Sequence, residues 1–437
     1  MSKKKIGFLA LAATTCVLAL AGCSGNGSAE SSTSTADKPT ETATSNEIAL
    51  SAWGYEQNVE FKAIVEAFEK KYDAKVKVVD IDPGSYENKI TTLLASGDKT
   101  DVLSMKDVGS YVNYANKQQL VDLTAYSEGL SAEDLANYGG SLDSYRTEDG
   151  KIYALPFRKD TYVLFYNKKL FDAAGVDYPK DLTWDTYQEL AKKLTSGANE
   201  AEKVYGGYHH KWFPILQATA ANQTGGDLLS GKYDYLKNYY DIFLNMQKDG
   251  TVMDYATIKT TNTTYSSVFE TNKTATMIMG SFYISRLLKA QASGENEMSW
   301  GMTTIPQRSD SKETITYGGP AGMAVNKNAA NPELAQKFVE FASGKEGALV
   351  LSKLGITTAY KNKETLNALF SIEGMPQDEE SKKALTPDKD GLEYAAKASA
   401  AGITKVLGEE HDLIMVGDKS VEDGIKEMES RTKDLVE

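Results

Sequence analysis

The stretch IALSAWGYEQNVEFKAIVEAFEKKYDAKVKVV, residues 48–79, decides the fold class. It begins with a short apolar run that ends at Trp53, which predicts a buried strand. The apolar residues that follow recur at spacings of three and four and predict an amphipathic helix; they are Phe61, Ile64, Val65, Phe68 and Tyr72. The run Val76–Val79 predicts a second strand. The stretch therefore has the order strand, helix, strand.

The same alternation continues beyond this stretch. Residues 90–94 predict a helix that ends near Gly97, and residues 101–105 predict a third strand. Strands that alternate with helices predict an open, mainly parallel α/β sheet. Ligands of such sheets bind beyond the carboxyl ends of the strands. The residues that follow the first and third strands, 53–57 and 106–108, are therefore candidate ligand loops.

A helix with clear ends is predicted much later in the chain. Asn331 suits the N-cap, Pro332 suits the first turn, and Gly344 suits the end of the helix. About 390 residues follow the low-complexity start of the chain, which is more than one hydrophobic core organises and predicts two domains. No second linker separates them, so we expect several chain crossings between the domains.

The chain begins with a targeting segment. Three lysines, residues 3–5, precede the apolar run Ile6–Ala21, which has the length of a secretory signal and is short for a membrane span. The run ends in Leu20-Ala21-Gly22-Cys23, which resembles the lipobox of bacterial lipoproteins. That resemblance implies cleavage before Cys23 and lipidation of Cys23. The alternatives are a plain signal peptide with a chance cysteine, or a retained transmembrane anchor.

Composition limits what the processed chain can be. Cys16 would leave with the signal and Cys23 would carry lipid, so the mature body has neither a free thiol nor a disulfide. Residues 24–46 contain no large apolar side chain and are predicted to form a disordered tether. Loss of the three lysines moves the formal net charge from −13 to −16, which argues against nucleic-acid binding.

Five segments, in order, resemble the extracellular solute-binding proteins of carbohydrate ABC importers. The clearest is YALPFRKDTYVLFYNKKLFDAAGVD, Tyr153–Asp177, followed by LTWDTYQELAKKL, Leu182–Leu194. Three further segments agree: Asp101–Thr124, Phe269–Tyr283 and Tyr317–Gly344. Asn272 stands where that family has Gly, and Phe282 stands where it has Trp, so a stacking aromatic at that point depends on Phe282 or Tyr283.

The resemblance implies a two-lobed α/β clamp of the kind found in periplasmic binding proteins. It implies three crossings between the lobes, near residues 157–161, 317–321 and 356–360. After a signal peptide (1–22) and a lipidated tether (23–46), the expected first lobe comprises 47–157 and 320–356, and the second comprises 158–319 and 357–437. A sugar would bind in the cleft, and the lobes would close by hinge rotation.

A sugar ring needs an aromatic face and fixed hydrogen-bonding groups around it. The candidate ligand residues are Trp53, Tyr55, Glu56, Asp107, Tyr111, Asp160, Trp212, Phe282, Tyr283, Gly318 and Gly319. Other roles stay open: core packing for the tryptophans, a helix cap for Asp107, an ion pair with Arg158 for Asp160, and hinge motion for the glycines. Trp184 and Trp300 are assigned structural roles.

Catalytic and metal chemistry find little support in the sequence. Adjacent His209 and His210 would face opposite ways on a strand, and His411 is far along the chain, which argues against zinc. No phosphate-binding loop and no nucleophile elbow occur. Catalytic residues, metals and cofactors are therefore not expected, although paired carboxylates for glycoside hydrolysis occur in any acidic chain.

The sequence thus predicts a lipid-anchored, sugar-binding subunit of an ABC importer, with an oligosaccharide as ligand and no enzyme activity. Its partners would be the permease and, through the anchor, the outer face of the cytoplasmic membrane; a monomer and a Gram-positive host are expected. One alternative is a binding protein for a peptide, polyamine or anion. Another is a tethered glycoside hydrolase.

Overall fold

The computed structural model describes residues 46–106, 108–199, 201–294 and 298–436. The expected signal peptide, Cys23 and nearly all of the tether lie outside these ranges, and so does Asp107. The chain from residue 45 onwards groups into one compact unit.

The strands of the described residues form two larger sheets and one small one. Their bounds are β1 (Glu47–Trp53), β2 (Lys75–Ile81), β3 (Val102–Met105), β4 (Leu155–Lys159), β5 (Tyr162–Asn167), β6 (Tyr205–Tyr208), β7 (Thr274–Gly280), β8 (Trp300–Thr304), β9 (Ile315–Gly318), β10 (Pro320–Val325) and β11 (Lys389–Leu392). The first sheet has the order β2-β1-β3-β10-β4, the second has the order β6-β7-β5-β8, and β11 pairs with β9. The predicted first three strands are confirmed.

The sheets are mixed, so the expectation of a mainly parallel sheet was wrong. In the first sheet β1 runs parallel to β2 and β3, but β10 runs antiparallel to β3 and β4. In the second sheet β5 is antiparallel to β7 and β8, and only β6 and β7 are parallel. The direction of β10 differs because this strand enters the first sheet from the second half of the molecule, without a crossover helix of its own.

Helices cover the faces of the sheets. Their bounds are α1 (Val59–Tyr72), α2 (Tyr86–Ala95), α3 (Val108–Asn116), α4 (Thr124–Glu128), α5 (Ala132–Tyr138), α6 (Lys168–Ala174), α7 (Trp184–Leu194), α8 (Pro214–Thr224), α9 (Lys237–Lys248), α10 (Tyr255–Thr260), α11 (Tyr265–Phe269), α12 (Tyr283–Ala292), α13 (Pro332–Ser343), α14 (Lys345–Ser352), α15 (Lys363–Phe370), α16 (Glu379–Ala384), α17 (Ala400–Met415) and α18 (Val421–Val436). Short 3₁₀ turns occupy Gly139–Ser141, Asp143–Tyr145 and Asp234–Leu236.

Helix α13 confirms the capping pattern that the sequence predicted. The Asn331 side chain accepts a hydrogen bond from the backbone N–H of Leu334, and Pro332 opens the helix. The first turn of a helix leaves backbone N–H donors without partners. The Asn331 side chain satisfies one of them, and Pro332 has no N–H to satisfy.

Two hydrophobic cores divide the structure into two lobes. The first core draws on residues between 48 and 157 and between 321 and 360, and the second on residues between 162 and 317 and between 369 and 428. Tyr360 and Ala396 pack in the first core, although the expected boundaries assigned them to the second lobe. The two-lobed α/β fold is confirmed, and the boundary positions stay predictions.

The chain crosses between the lobes at three places. It leaves β4 for β5 through Asp160 and Thr161, and it returns from β9 to β10 through Gly319. The third crossing follows α14, where Thr357 and Thr358 contact both lobes: the Thr357 hydroxyl bonds Ser281, and Thr358 pairs with Arg158. A Cβ on Gly318 would lie 1.4 Å from the Asp160 carbonyl oxygen, so glycine is required where two crossings touch.

Candidate functional site

A cavity of about 170 Å³, here called the inner cavity, lies between the two larger sheets. The segments that line it come from strand ends and crossings of both lobes. Its residues are Lys106, Val108, Arg158, Asp160, Tyr162, Phe282, Gly319, Pro320, Ala321, Glu393 and Tyr394. This position agrees with the rule that ligands of open α/β sheets bind where strands end.

A second cavity of about 630 Å³, here called the outer cavity, adjoins the first. The two share Tyr162, Glu393 and Tyr394, and we call them together the cleft. The rest of the outer cavity is lined by Lys211, Trp212, Phe213, Pro214, Lys259, Thr404, Lys405, Gly408, Glu409 and Asp412. A small inner space that continues into a larger outer one suits a ligand made of several units.

An aromatic surface runs along the cleft. Trp212 faces the outer cavity with 38% of its surface exposed, whereas Trp53, Trp184 and Trp300 are at most 5% exposed. Its ring centroid lies 6.2 Å from that of Phe282, which lines the inner cavity, and 5.9 Å from that of Tyr265. His210 supports the indole edge-on at 4.5 Å. Held this way, the Trp212 ring offers a fixed apolar face to a ligand.

Asp160 supplies a buried acceptor beside this aromatic surface. Its Oδ1 atom is shielded from solvent and has no hydrogen-bond partner among the described residues. Burial raises the pKa of the Asp160 carboxyl, and the nearby Arg158 guanidinium opposes that rise. A buried polar atom without a partner is costly unless a ligand or water satisfies it.

Arg158 is held rigidly between the first lobe and the inner cavity. Its Nη1 atom donates to Glu60 Oε1 at 2.9 Å, and its guanidinium lies 5.8 Å from the centroid of the Trp53 ring. Its Nε atom is buried and has no partner in the described structure. Arg158 and Asp160 thus present one donor and one acceptor to the same small space, which matches the needs of a hydroxyl group.

The structure brings four of the predicted residues to the cleft. Asp160, Phe282 and Gly319 line the inner cavity, and Trp212 lines the outer cavity. Gly318 lies directly behind them and is buried. The roles of these residues as ligand contacts stay predictions.

The other described candidates line neither cavity. Trp53 packs edge-on against Phe61 and Tyr86 in the first core. The Tyr111 hydroxyl donates to the Tyr145 carbonyl at 2.6 Å, so this side chain turns inward with the apolar face of α3. The Tyr283 hydroxyl donates to Glu270 at 2.8 Å within the second lobe.

The loop after β1 leads two further candidates away from the cleft. Gly54 adopts a φ of +56°, and its carbonyl accepts from Gln57 and Asn58 in a tight turn. The turn leaves Glu56 exposed, and the backbone of Tyr55 donates to Asp80 at 2.8 Å. Asp107 lies outside the described residues, so its position is not assigned.

Sequence reasoning missed Glu393 and Tyr394, which line both cavities. They follow β11, more than 230 residues after the first crossing. The available signal was modest: a carboxylate next to a tyrosine directly after a strand, as in the pair Tyr55 and Glu56. Tyr162, at the start of β5, was also missed.

The histidines serve packing. His209 stacks on Phe243 with ring centroids 4.0 Å apart, and burial lowers the pKa of His209 to about 3. His210 bonds the Tyr208 hydroxyl at 2.8 Å, and burial lowers the pKa of His210 to about 4. Within the described ranges no group of three or more His, Cys, Asp or Glu could hold a metal ion.

A larger groove of about 810 Å³ lies elsewhere on the second lobe, around Trp184, Tyr239 and Arg308. It shares no residue with the cleft and contains none of the candidates. Two of its aromatics, Trp184 and Tyr239, are buried and donate to Gln223 at 2.9 and 2.8 Å. Trp184 and Tyr239 therefore expose less of their rings in this groove than Trp212 does in the cleft. No helix in the described part of the chain is long and apolar enough to cross a membrane.

Comparison with known proteins identifies the family of the chain. The family described as bacterial extracellular solute-binding protein matches residues 55–349. A maltooligosaccharide ABC transporter solute-binding lipoprotein of Streptococcus pneumoniae is 25% identical over 339 residues, 72% of this chain and 73% of the relative. The galactooligosaccharide-binding protein of Bacillus subtilis is 26% identical over 400 residues, 86% of this chain and 83% of the relative.

A solved structure also matches most of this chain. It is a sugar transporter from Rhizobium etli in an open conformation, and it is 35% identical to this chain. The match has a TM-score of 0.80 and covers 89% of this chain and 99% of the other. The two chains therefore share their fold across both lobes.

Proposed function

The chain belongs to the bacterial extracellular solute-binding proteins, and from this premise we propose that it captures an oligosaccharide between its lobes for delivery to an ABC permease. Members of this family are substrate-binding subunits of transporters, so the chain is not an enzyme. The names of its relatives, a maltooligosaccharide-binding lipoprotein and a galactooligosaccharide-binding protein, support a sugar as the substrate class.

One observation carries the choice of ligand: a buried acceptor without a protein partner, Asp160 Oδ1, lies in the same cleft as the exposed indole of Trp212. A sugar ring offers hydroxyl donors at its rim and apolar C–H groups on its faces, so it satisfies both. The inner cavity contains Lys106 and Arg158 beside the carboxylates Asp160 and Glu393, so its charges balance and do not favour an anion.

The size of the cleft supports more than one sugar unit. The inner cavity contains Arg158 and Asp160, and the outer cavity extends past Trp212. We infer that one sugar unit lies in the inner cavity and that further units extend over the indole.

Calorimetric titration tests this proposal. The chain from Asn46 onwards would be titrated with α- and β-linked gluco- and galactooligosaccharides, with monosaccharides, a short peptide, a polyamine and phosphate as comparisons. Tight binding of one oligosaccharide class, with the glycan recovered intact, is the expected result. The double variant Asp160→Asn/Trp212→Ala serves as the control and should bind about eightyfold more weakly or worse. Binding of the peptide, polyamine or phosphate alone would overturn the sugar assignment, and cleavage of the glycan would overturn the binding role.

We further propose that lipid on Cys23 holds the protein at the outer face of the cytoplasmic membrane. Cys23 follows a lipobox-like sequence, and the named Streptococcus relative is a lipoprotein. Acyl chains anchor by apolar burial, and more than one chain makes the anchor stable. Cells fed labelled palmitate should label the native protein but not Cys23→Ser. Absence of label from the native protein, or equal labelling of Cys23→Ser, would contradict the anchor.

A further inference from the structure

The segment Lys389–Ala396, here called the strap, contacts both lobes in addition to the three crossings. It begins as β11, which pairs in parallel with β9 of the second lobe. It ends at Ala396, which is buried in the first core. Between these points Tyr394 packs against both cores. The strap therefore spans the cleft in addition to the three crossings.

The start of the strap is fixed to the crossings by a buried charge network. Asp390 Oδ2 lies 3.1 Å from Lys159 Nζ and 3.2 Å from Lys361 Nζ, and it accepts from the Thr161 hydroxyl at 3.0 Å. Lys159 Nζ also donates to the Asp390 carbonyl at 2.7 Å. The two lysines lower the pKa of Asp390 against the effect of burial, so the carboxylate stays charged. Charge-assisted bonds of this kind hold the first and third crossings to one point of the strap.

The backbone of the strap is also closely packed. The Asn222 side chain donates to the Leu392 carbonyl at 2.9 Å, and a Cβ on Gly391 would lie 1.8 Å from Asn222 Oδ1. These contacts place the following residues, Glu393 and Tyr394, at the border of the inner and outer cavities.

Glu393 faces an aromatic pair at that border. Tyr162 and Tyr317 stack with ring centroids 4.4 Å apart and planes 15° apart. Glu393 and Tyr162 line both cavities together, and burial and then the charge of Glu393 raise the pKa of the Tyr162 hydroxyl. A ligand that reaches from one cavity into the other must pass Glu393 and Tyr394.

We propose that the strap couples ligand occupancy to closure of the lobes, with Glu393 and Tyr394 as specificity-determining contacts. This inference rests on the proposed function, because it takes an oligosaccharide as the ligand. Ligand contacts and lobe-joining contacts lie within four residues of each other, so a ligand that bonds Glu393 stabilises the arrangement in which Tyr394 touches both cores. A ligand shifts a conformational equilibrium only through such differential contacts.

The test combines affinity with a distance measurement. Because the chain from Asn46 onwards contains no cysteine, labels can be attached to Lys117→Cys in the first lobe and Lys193→Cys in the second, both exposed positions. The variants are Glu393→Gln, Tyr394→Phe and Tyr394→Ala. Matched controls are Glu427→Gln and Tyr178→Ala, which are exposed and lie outside the cleft.

We expect Glu393→Gln to bind the oligosaccharide about tenfold more weakly or worse, because a charged acceptor becomes neutral. Tyr394→Ala should also lengthen the label distance before any ligand is added, whereas Tyr394→Phe, which keeps the ring between the cores, should not. Thermal unfolding of each variant shows whether it is folded.

Two outcomes separate failure of this inference from failure of the proposed function. If the unmodified protein binds no glycan, the proposed function is wrong, and the label distance of the unliganded Tyr394→Ala protein still tests the lobe-joining role. If Glu393→Gln and Tyr394→Ala match their controls in affinity and in label distance, the strap has neither role and the inference is overturned.

Discussion

Replacement of Trp212 by alanine gives the sharpest test of the cleft. Trp212 keeps 38% of its surface exposed, although His210, Tyr265 and Phe282 hold its ring in place. A tryptophan side chain buries up to about 250 Å², so about 95 Å² of this one remains for a ligand to cover. At about 25 cal/mol per Å², full coverage contributes about 2.4 kcal/mol, and coverage of one face contributes about half of that.

These free energies correspond to a rise in Kd of roughly eightfold to fiftyfold for Trp212→Ala. Trp212→Phe keeps an aromatic face, so it should lose only about half of the binding free energy that Trp212→Ala loses. The assay is calorimetric titration with the best oligosaccharide from the panel. Because Trp212 also contacts neighbouring rings, Trp212→Ala should lower the free energy of unfolding by about 1–2 kcal/mol.

Trp184→Phe is the matched control. Trp184 is buried outside the cleft, and its Nε1 atom donates to Gln223 at 2.9 Å. This variant should lose about 1 kcal/mol or more of unfolding free energy and keep its affinity. If Trp212→Ala binds within twofold of the unmodified protein, or if Trp184→Phe loses as much affinity, the reasoning that places the ligand on Trp212 is refuted.

Three further changes test the polar, backbone and titrating parts of the structure. Because burial raises the pKa of Asp160, ionisation of Asp160 above that pKa lowers the free energy of unfolding. Asp160→Asn should therefore melt at a higher temperature than the unmodified protein at pH 7.5, and the difference should be smaller at pH 4. The same variant should bind sugar about tenfold more weakly. Unchanged melting at pH 7.5 would contradict the first expectation, and unchanged affinity the second. Gly318→Ala should lower the free energy of unfolding by about 3 kcal/mol or more, because the new Cβ would lie 1.4 Å from the Asp160 carbonyl oxygen. Gly319→Ala should fold normally, because the nearest neighbour of its new Cβ is 3.8 Å away. Equal melting temperatures of the two variants would exclude this crowding. Burial lowers the pKa of His209 to about 3, so the stability that neutral His209 contributes at neutral pH is lost as the pH falls from about 6.5 towards 3. Between pH 7 and pH 4.5, urea unfolding should show a smaller loss of unfolding free energy for His209→Phe than for the unmodified protein. An equal loss in the two proteins would contradict this expectation.

Local pattern predicted the elements of the first lobe but not the direction of every strand. The strand at 48–53, the helix that includes Phe61 and the strand at 76–79 all form as expected. The antiparallel entry of β10 was missed because it depends on the crossing through Gly319, which no local periodicity records. Sheet direction is set by such long-range connections.

Of the predicted site residues, the structure places Asp160, Phe282, Gly319 and Trp212 at the cleft, and it places Trp53, Tyr111 and Tyr283 away from it. Tyr111 could have been assigned to the core, since Val108, Val112 and Ala115 place it on the apolar face of α3. Tyr283 could likewise have been assigned to the core, because it shares a face of α12 with Ile284 and Leu287. Tyr111 was chosen because it follows a strand and Tyr283 because the resemblance implies a stacking aromatic there, and helical phase was the better guide for both.

Glu393 and Tyr394 were beyond the reach of sequence pattern for a different reason. Their position depends on Asp390, whose partners Lys159 and Thr161 lie about 230 residues earlier in the chain. A contact at that separation leaves no periodicity for either segment to show.

The cleft also concentrates groups that do not help the protein fold by themselves. Arg158 Nε and Asp160 Oδ1 line the inner cavity and are buried without hydrogen-bond partners in the described structure. Such atoms cost free energy in the unliganded state. A ligand that satisfies even one of them gains more than it would on an exposed surface, and it gains it only when both lobes are in place. We therefore expect ligand binding to stabilise the arrangement in which both lobes contribute to the inner cavity.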